Sequence, residues 1–131
     1  AAAFVLPTLH RLLQSNARST AGRGPRALFL SPTRELSLQI TRACETYSKT
    51  VRGLRFASVV GGVPYGAQIR AVRGALDVLV ATPGRLLDLL QGGQLHLASV
   101  EVLVLDEADR MLDMGFIEDI EAIAAATPQA R

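Results

Sequence analysis

Aromatic side chains are scarce in these 131 residues, at 5%, and tryptophan is missing altogether. A core must then be built from Val, Leu, Ile and Ala, which suits helices packed on a parallel sheet. The single cysteine, Cys44, excludes an internal disulfide and a cysteine-based metal site. A reducing, cytoplasmic setting is the expectation that follows. The two histidines, His10 and His96, stand far apart in the chain and receive no role. No apolar run is long enough to span a membrane. No basic residue precedes the apolar opening Ala1–Pro7, so a secretory signal is not expected. With 49% hydrophobic and 20% charged residues the chain is no disordered tail, and it is long enough for one domain with a real core.

Charge is present but uneven. Residues 1–100 hold twelve Lys and Arg against four Asp and Glu, whereas residues 101–131 hold two Arg against eight acids. The first part can attract a polyanion and the last can hold a cation. Scattered solvated charges would give the same count, so motifs must decide.

The most informative stretch is Val100 to Asp109. Val100, Val102, Leu103, Val104 and Leu105 form an apolar run of strand length, expected to be buried on both faces of a parallel sheet. Asp106, Glu107 and Asp109 follow at once. Carboxylates are costly to bury, so they belong where the strand leaves the core. In open α/β sheets that edge binds ligands, and acids there can hold Mg²⁺. Acids in this position also commonly cap the next helix.

Taken in order, the chain predicts a helix over 2–14, an exposed loop over 15–25 and a strand at 26–30. A helix from Thr33 to about Lys49 follows, with Leu36, Ile40, Ala43 and Tyr47 on one side and Thr33 as its cap. Then come a strand over 54–60, a helix over 64–74, a strand over 77–81, and a helix over 85–90 stopped by Gly92 and Gly93. The strand ending at Leu105 is the fourth. A final helix over 116–126 places Ile117, Ile120 and Ile123 together. Met111, Met114 and Phe116 read as core residues, and Arg110 and Asp113 as helix-surface pairs. This alternation predicts an α/β fold, an open, mostly parallel sheet flanked by helices. One edge would then carry Ser31–Arg34, Gly61–Gly62, Thr82–Arg85 and Asp106–Asp109.

That edge has the chemistry of an anion site. Helix starts at Thr33 and near Pro83 expose unpaired amides, Thr33 and Thr82 add hydroxyls, and Arg34 and Arg85 add fixed cations. Gly61, Gly62 and Gly84 let a backbone approach closely. Several such corners in a row suit a nucleic-acid strand held by its phosphates. Singly, each is equally a cap or a turn.

The joint pattern is more specific. Asp106-Glu107-Ala108-Asp109, with Arg110-Met111-Leu112-Asp113-Met114-Gly115-Phe116 behind it, resembles the motif that names the DEAD-box RNA helicases. Pro32-Thr33-Arg34-Glu35-Leu36 with Gln39, Gly61-Gly62 with Gln68, and Thr82-Pro83-Gly84-Arg85 stand in that family's order and at similar spacing, in a bacterial style. The resemblance covers essentially the whole chain. It implies residues 1–131 as part of the first RecA-like (P-loop NTPase) domain of an ATP-dependent RNA helicase. It implies ATP and Mg²⁺ as cofactors, with Asp106 orienting the Mg²⁺ through water, Glu107 activating the hydrolytic water and Asp109 linking the site to its neighbours. Pro32, Thr33, Arg34, Gly61, Gly62, Thr82, Pro83, Gly84 and Arg85 would hold the RNA backbone, with Glu35 bracing that surface.

Several family parts are not found in these residues. No Gly-x-x-x-x-Gly-Lys-Ser/Thr occurs, nor do the adenine-reading segment, the Ser-Ala-Thr motif or the second RecA-like domain. The expectation is a fragment, inactive alone, of a parent that couples ATP hydrolysis to RNA strand separation. A non-catalytic RNA-binding scaffold, a DNA-directed helicase of the same superfamily and an Asp106 phosphoacceptor domain are the competing readings. The natural RNA, subfamily, oligomeric state and accessory proteins have no signature in the letters.

Overall fold

Four segments without a single charged residue form the sheet: β1 (Ala27–Leu30), β2 (Phe56–Val59), β3 (Val78–Ala81) and β4 (Val102–Leu105). The computed structural model describes residues 25–49, 55–61, 65–73, 76–93 and 95–127. The helix expected over 2–14, most of the loop after it, and Gly62 lie outside these residues. The helices are α1 (Arg34–Ser48), α2 (Tyr65–Arg73), α3 (Pro83–Gln91), α4 (Ala108–Asp113) and α5 (Ile117–Ala125). All strand pairs are parallel, in the order β2-β3-β1-β4. The parallel α/β expectation therefore holds.

Strand alternation sends side chains into two cores. On one face Ala27, Phe29, Val78 and Val80 meet Ile40 and Cys44 of α1, with Ala43 and Tyr47 packed around them. On the other, Leu28, Leu30, Leu79 and Ala81 meet Val72, Leu86, Leu89, Met111 and Ile123 from the remaining helices. Each fully buried Leu contributes about 2 kcal/mol of transfer free energy, so the interior strands β1 and β3, buried along their whole length, anchor the fold.

Charged residues brace the amino ends of the strands. Arg26 Nε donates to Glu101 Oε2 at 2.7 Å from a side chain only 7% exposed, and the Glu101 amide donates to the Arg26 carbonyl. Asp77 Oδ2 accepts from the Arg55 amide at 3.1 Å. These contacts hold the outer strands in register at the end remote from the acids.

Four expectations change. β4 is half-buried, with Leu105 39% exposed, because it is an edge strand among the described residues and only one neighbour covers it. The helix α4 is an element beyond those the sequence predicts, too short to show a periodicity of its own. α3 begins two residues early, since Pro83 fits the first helical turn, where a missing N–H costs nothing. Met114 is about half exposed rather than core, and Ile117, expected on one face with Ile120 and Ile123, is about half exposed too: the turn between α4 and α5 leaves Met111, Ile120 and Ile123 as the inward residues. Among the described residues no helix is long and apolar enough to cross a membrane.

Candidate functional site

The strand ends lie level. Leu30 pairs with Ala81 and with Leu105, and Val59 pairs with Ala81, so all four carboxyl ends fall in one row. The ladder then runs one residue further. The Asp106 amide donates to Leu30 O at 2.8 Å, the Ser31 amide to Ala81 O at 3.1 Å, and the Thr82 amide to Val59 O at 3.1 Å. Each chain exit is thus tied to the last residue of the neighbouring strand. Strand order sets the sequence of exits along this rim: Gly61, Thr82, Ser31, Asp106. The corner after β1 stands between the acids and the other two.

At that central corner the local sequence is committed to a helix start. Thr33 is the N-cap of α1, and its Oγ1 accepts from the Leu36 amide at 3.2 Å. The hydroxyls of Ser31 and Ser37, both fully buried, lie 2.7 Å apart and pin the turn to the first turn of α1. Pro32 is buried and Arg34 exposed. Thr82 caps α3 by position, but its side chain makes no capping bond. Of the two threonines, one hydroxyl is thus used by the protein itself.

A cleft of about 410 Å³ joins three of the corners, lined by Pro32, Arg34, Gly61, Thr82, Gly84, Arg85, Asp88 and Phe116. Six of these are sequence candidates. Among the described residues, a methyl group built on Gly61 or Gly84 would meet nothing within 4 Å, so no packing among them requires glycine there. The space beside them is open to a ligand. Thr33 and Pro83 do not line the cleft: the first caps its helix, and the second is buried in the first turn of α3.

The acids form a second station. Asp106 is 4% exposed, whereas Glu107 and Asp109 are exposed. Glu107 adopts φ 59° and ψ 48°, a left-handed conformation rare for a residue with a side chain, and occupies the N-cap of α4 without a side-chain capping bond. The capping alternative is therefore not what holds this residue type here. Among the described residues no three His, Cys, Asp or Glu side chains converge as a metal cage. Such acids suit a Mg²⁺ that keeps most of its shell as water and phosphate oxygens.

Asp88, to which the sequence assigns no role, and Phe116, which it assigns to the core, also line the cleft. Asp88 follows Arg85 by three residues on α3, a spacing that puts both on one helix face, and that signal was available. Phe116 is delivered by the end of α4. With Met114 as C-cap, the Gly115 amide donates to Leu112 O at 3.1 Å and the Phe116 amide to Met111 O at 3.0 Å. Gly115 has φ 85°. This is the glycine-stopped Schellman arrangement, in which the residue after the glycine packs back on the helix. Cys44, on the far face, is buried, and desolvation followed by the charge of Glu45 raises its thiol pKa to about 11. It is a small core residue rather than a nucleophile.

A level parallel rim with acids after one strand and amide-rich basic corners after others defines the class: an open α/β sheet that binds its ligands at the carboxyl ends of its strands. A family model described as DEAD/DEAH box helicase matches residues 1–131, and the chain belongs to that family. It is 45% identical over 129 residues to DEAD-box ATP-dependent RNA helicase 53 of Oryza sativa subsp. japonica, covering 98% of this chain and 21% of that relative. It is 46% identical over 128 residues to ATP-dependent RNA helicase DeaD of Escherichia coli strain K12, covering 98% of this chain and 19% of that one. The chain thus spans about a fifth of these relatives. Among solved structures, the yeast DEAD-box splicing factor Prp28 superposes with a TM-score of 0.86 at 37% identity, over 98% of this chain and 31% of that one. A hypothetical ATP-dependent RNA helicase from Sulfolobus tokodaii gives 0.79 at 41% identity, over 95% and 34%.

Proposed function

We propose that these residues work as part of an ATP-dependent RNA helicase, with hydrolysis at the β4 end of the rim and RNA held along the rest. The observation that carries this reading is the row of backbone hydrogen bonds from Asp106 through Ser31 to Thr82, which mounts both stations on one rigid edge. Asp106, buried and with its amide bonded to β1, would orient a nucleotide-bound Mg²⁺ through water. Glu107, exposed beside it, would position the hydrolytic water by general-base logic. Asp109 would link this site to its neighbours, the role the family resemblance implies for it. Arg34, Arg85, Thr82 and the open glycines would hold phosphates and sugars without reading bases. Pro32, Thr33, Gly62 and Pro83 complete the proposed RNA list, the last as the rigid start of α3. Contacts to 2′-hydroxyls would favour RNA over DNA, and a second RecA-like domain is the expected partner across the cleft.

These residues contain no Gly-x-x-x-x-Gly-Lys-Ser/Thr to cradle a triphosphate. The 131-residue chain alone is therefore expected to hydrolyse ATP no faster than its Asp106→Ala variant, with or without RNA. RNA-stimulated turnover that this substitution abolishes would sink that expectation.

The RNA reading is tested in the full-length protein. Arg34→Ala and Arg85→Ala should each weaken binding of a single RNA strand and reduce the slope of log affinity against log salt by about 0.7, one phosphate's share. Unchanged slopes in both variants would remove these arginines from the backbone contacts. Duplex RNA compared with duplex DNA as substrate separates the RNA helicase from a DNA-directed relative.

A further inference from the structure

The face of α1 that meets the sheet changes character at its first turn. Ser37, Ile40 and Cys44 follow one another at helical spacing and so share a stripe. Ile40 and Cys44 pack into the core with Ala43 and Tyr47. Ser37 stands where that stripe calls for an apolar residue, and it is 0% exposed. Its hydroxyl lies 2.7 Å from that of Ser31, equally buried at the exit of β1. Stability alone does not account for such a pair, because exchanging both partners of a buried hydrogen bond for apolar groups of similar shape is close to neutral. What the bond adds is direction. Apolar contacts tolerate a small roll of a helix on its sheet, whereas a hydrogen bond weakens steeply once its geometry is lost.

The corner residues Pro32, Thr33 and Arg34 lie between the two serines. The Ser31 amide, bonded to Ala81 O at 3.1 Å, anchors one end of this segment on the sheet, and the Ser37 amide, bonded to Thr33 O at 3.1 Å, closes the first turn of α1. The hydroxyl pair is the cross-link between the two. Arg34 is exposed and lines the cleft, so its reach is set by where the backbone of that turn holds it. We propose that Ser31 and Ser37 are positioning residues for RNA binding: their buried hydroxyl pair fixes the first turn of α1 against the exit of β1, so that Arg34 meets the RNA backbone. This rests on the reading of the cleft as the RNA site and names what aims one of its cations.

The test uses the full-length protein and a fluorescent oligouridylate strand, with Kd measured by anisotropy over a range of salt. The double variant Ser31→Ala/Ser37→Ala should keep a denaturation midpoint close to that of wild type. It should nevertheless bind RNA about threefold or more weakly, with its salt slope lowered toward that of Arg34→Ala. Ser37→Ala alone should show the same loss of affinity and slope. In an Arg34→Ala background the two serine substitutions should leave Kd unchanged, since the group they position is gone. Wild-type affinity in the double variant, or an equal loss in both backgrounds, overturns the positioning role. Unchanged salt slopes in Arg34→Ala and Arg85→Ala overturn the RNA reading itself, and this proposal with it.

Discussion

Glu107 is the residue where conformation and chemistry pull in different directions. Its left-handed backbone is the one positive φ among the described non-glycine residues, and such a conformation costs a side-chain-bearing residue about 1 kcal/mol or more. Strain of this kind persists where the surroundings over-determine it, as at functional sites. The Met111 amide bonding to Glu107 O at 3.1 Å and the tether of Asp106 to β1 are what hold it. Glu107→Gly should therefore raise the unfolding free energy by about 1 kcal/mol while abolishing ATP hydrolysis in the full-length protein. Denaturant melts of both forms would show it, and an unchanged or lower midpoint would mean that the conformation carries no strain. The three carboxylates were readable as a cluster, but nothing in the letters shows that one is buried and two are exposed. Burial depends on which strand lies beside β4.

Helices and strands followed their patterns where packing agreed with the local signal. α1 matched its expected bounds closely because Thr33 caps it and Ile40, Ala43, Cys44 and Tyr47 recur on one face. The same face makes a pH prediction. The Cys44 thiol pKa lies at about 11 in the fold against 9.0 for an unperturbed group, because ionising it would place a charge between α1 and the sheet. Below pH 9 both folded and unfolded forms carry the neutral thiol and the helix–sheet contact is undiminished. As pH rises from about 9 to 11 the unfolded chain ionises first, so stability should fall, by on the order of 2 kcal/mol. Cys44→Ser would keep a buried polar group but remove this titration; a Cys44→Ser protein with the same alkaline decline would assign the loss elsewhere. α4 shows the opposite case. Its six residues are too few for periodicity, and only Gly115 announced where it stops.

For the molecule as a whole, fold class and the crowding of four exits on one rim were legible in the alternation of apolar strands and capped helices. Parallel strands joined by helices have little choice but to place their carboxyl ends together. The order of those exits was not legible. Nothing local distinguishes β2-β3-β1-β4 from other parallel orders, because strand neighbours are chosen by how helices pack on the faces, a contest among distant residues. That order puts the β1 corner between acids and basic corners, splits the candidates into two stations and leaves β4 half-covered. It also brings Asp88 and Phe116, from α3 and the start of α5, into the cleft with Arg34 and Gly61. Motif chemistry resides in neighbouring residues and can be read along the chain. Shared walls of a cleft are made by residues far apart in it, so they exist only once long-range packing has been settled.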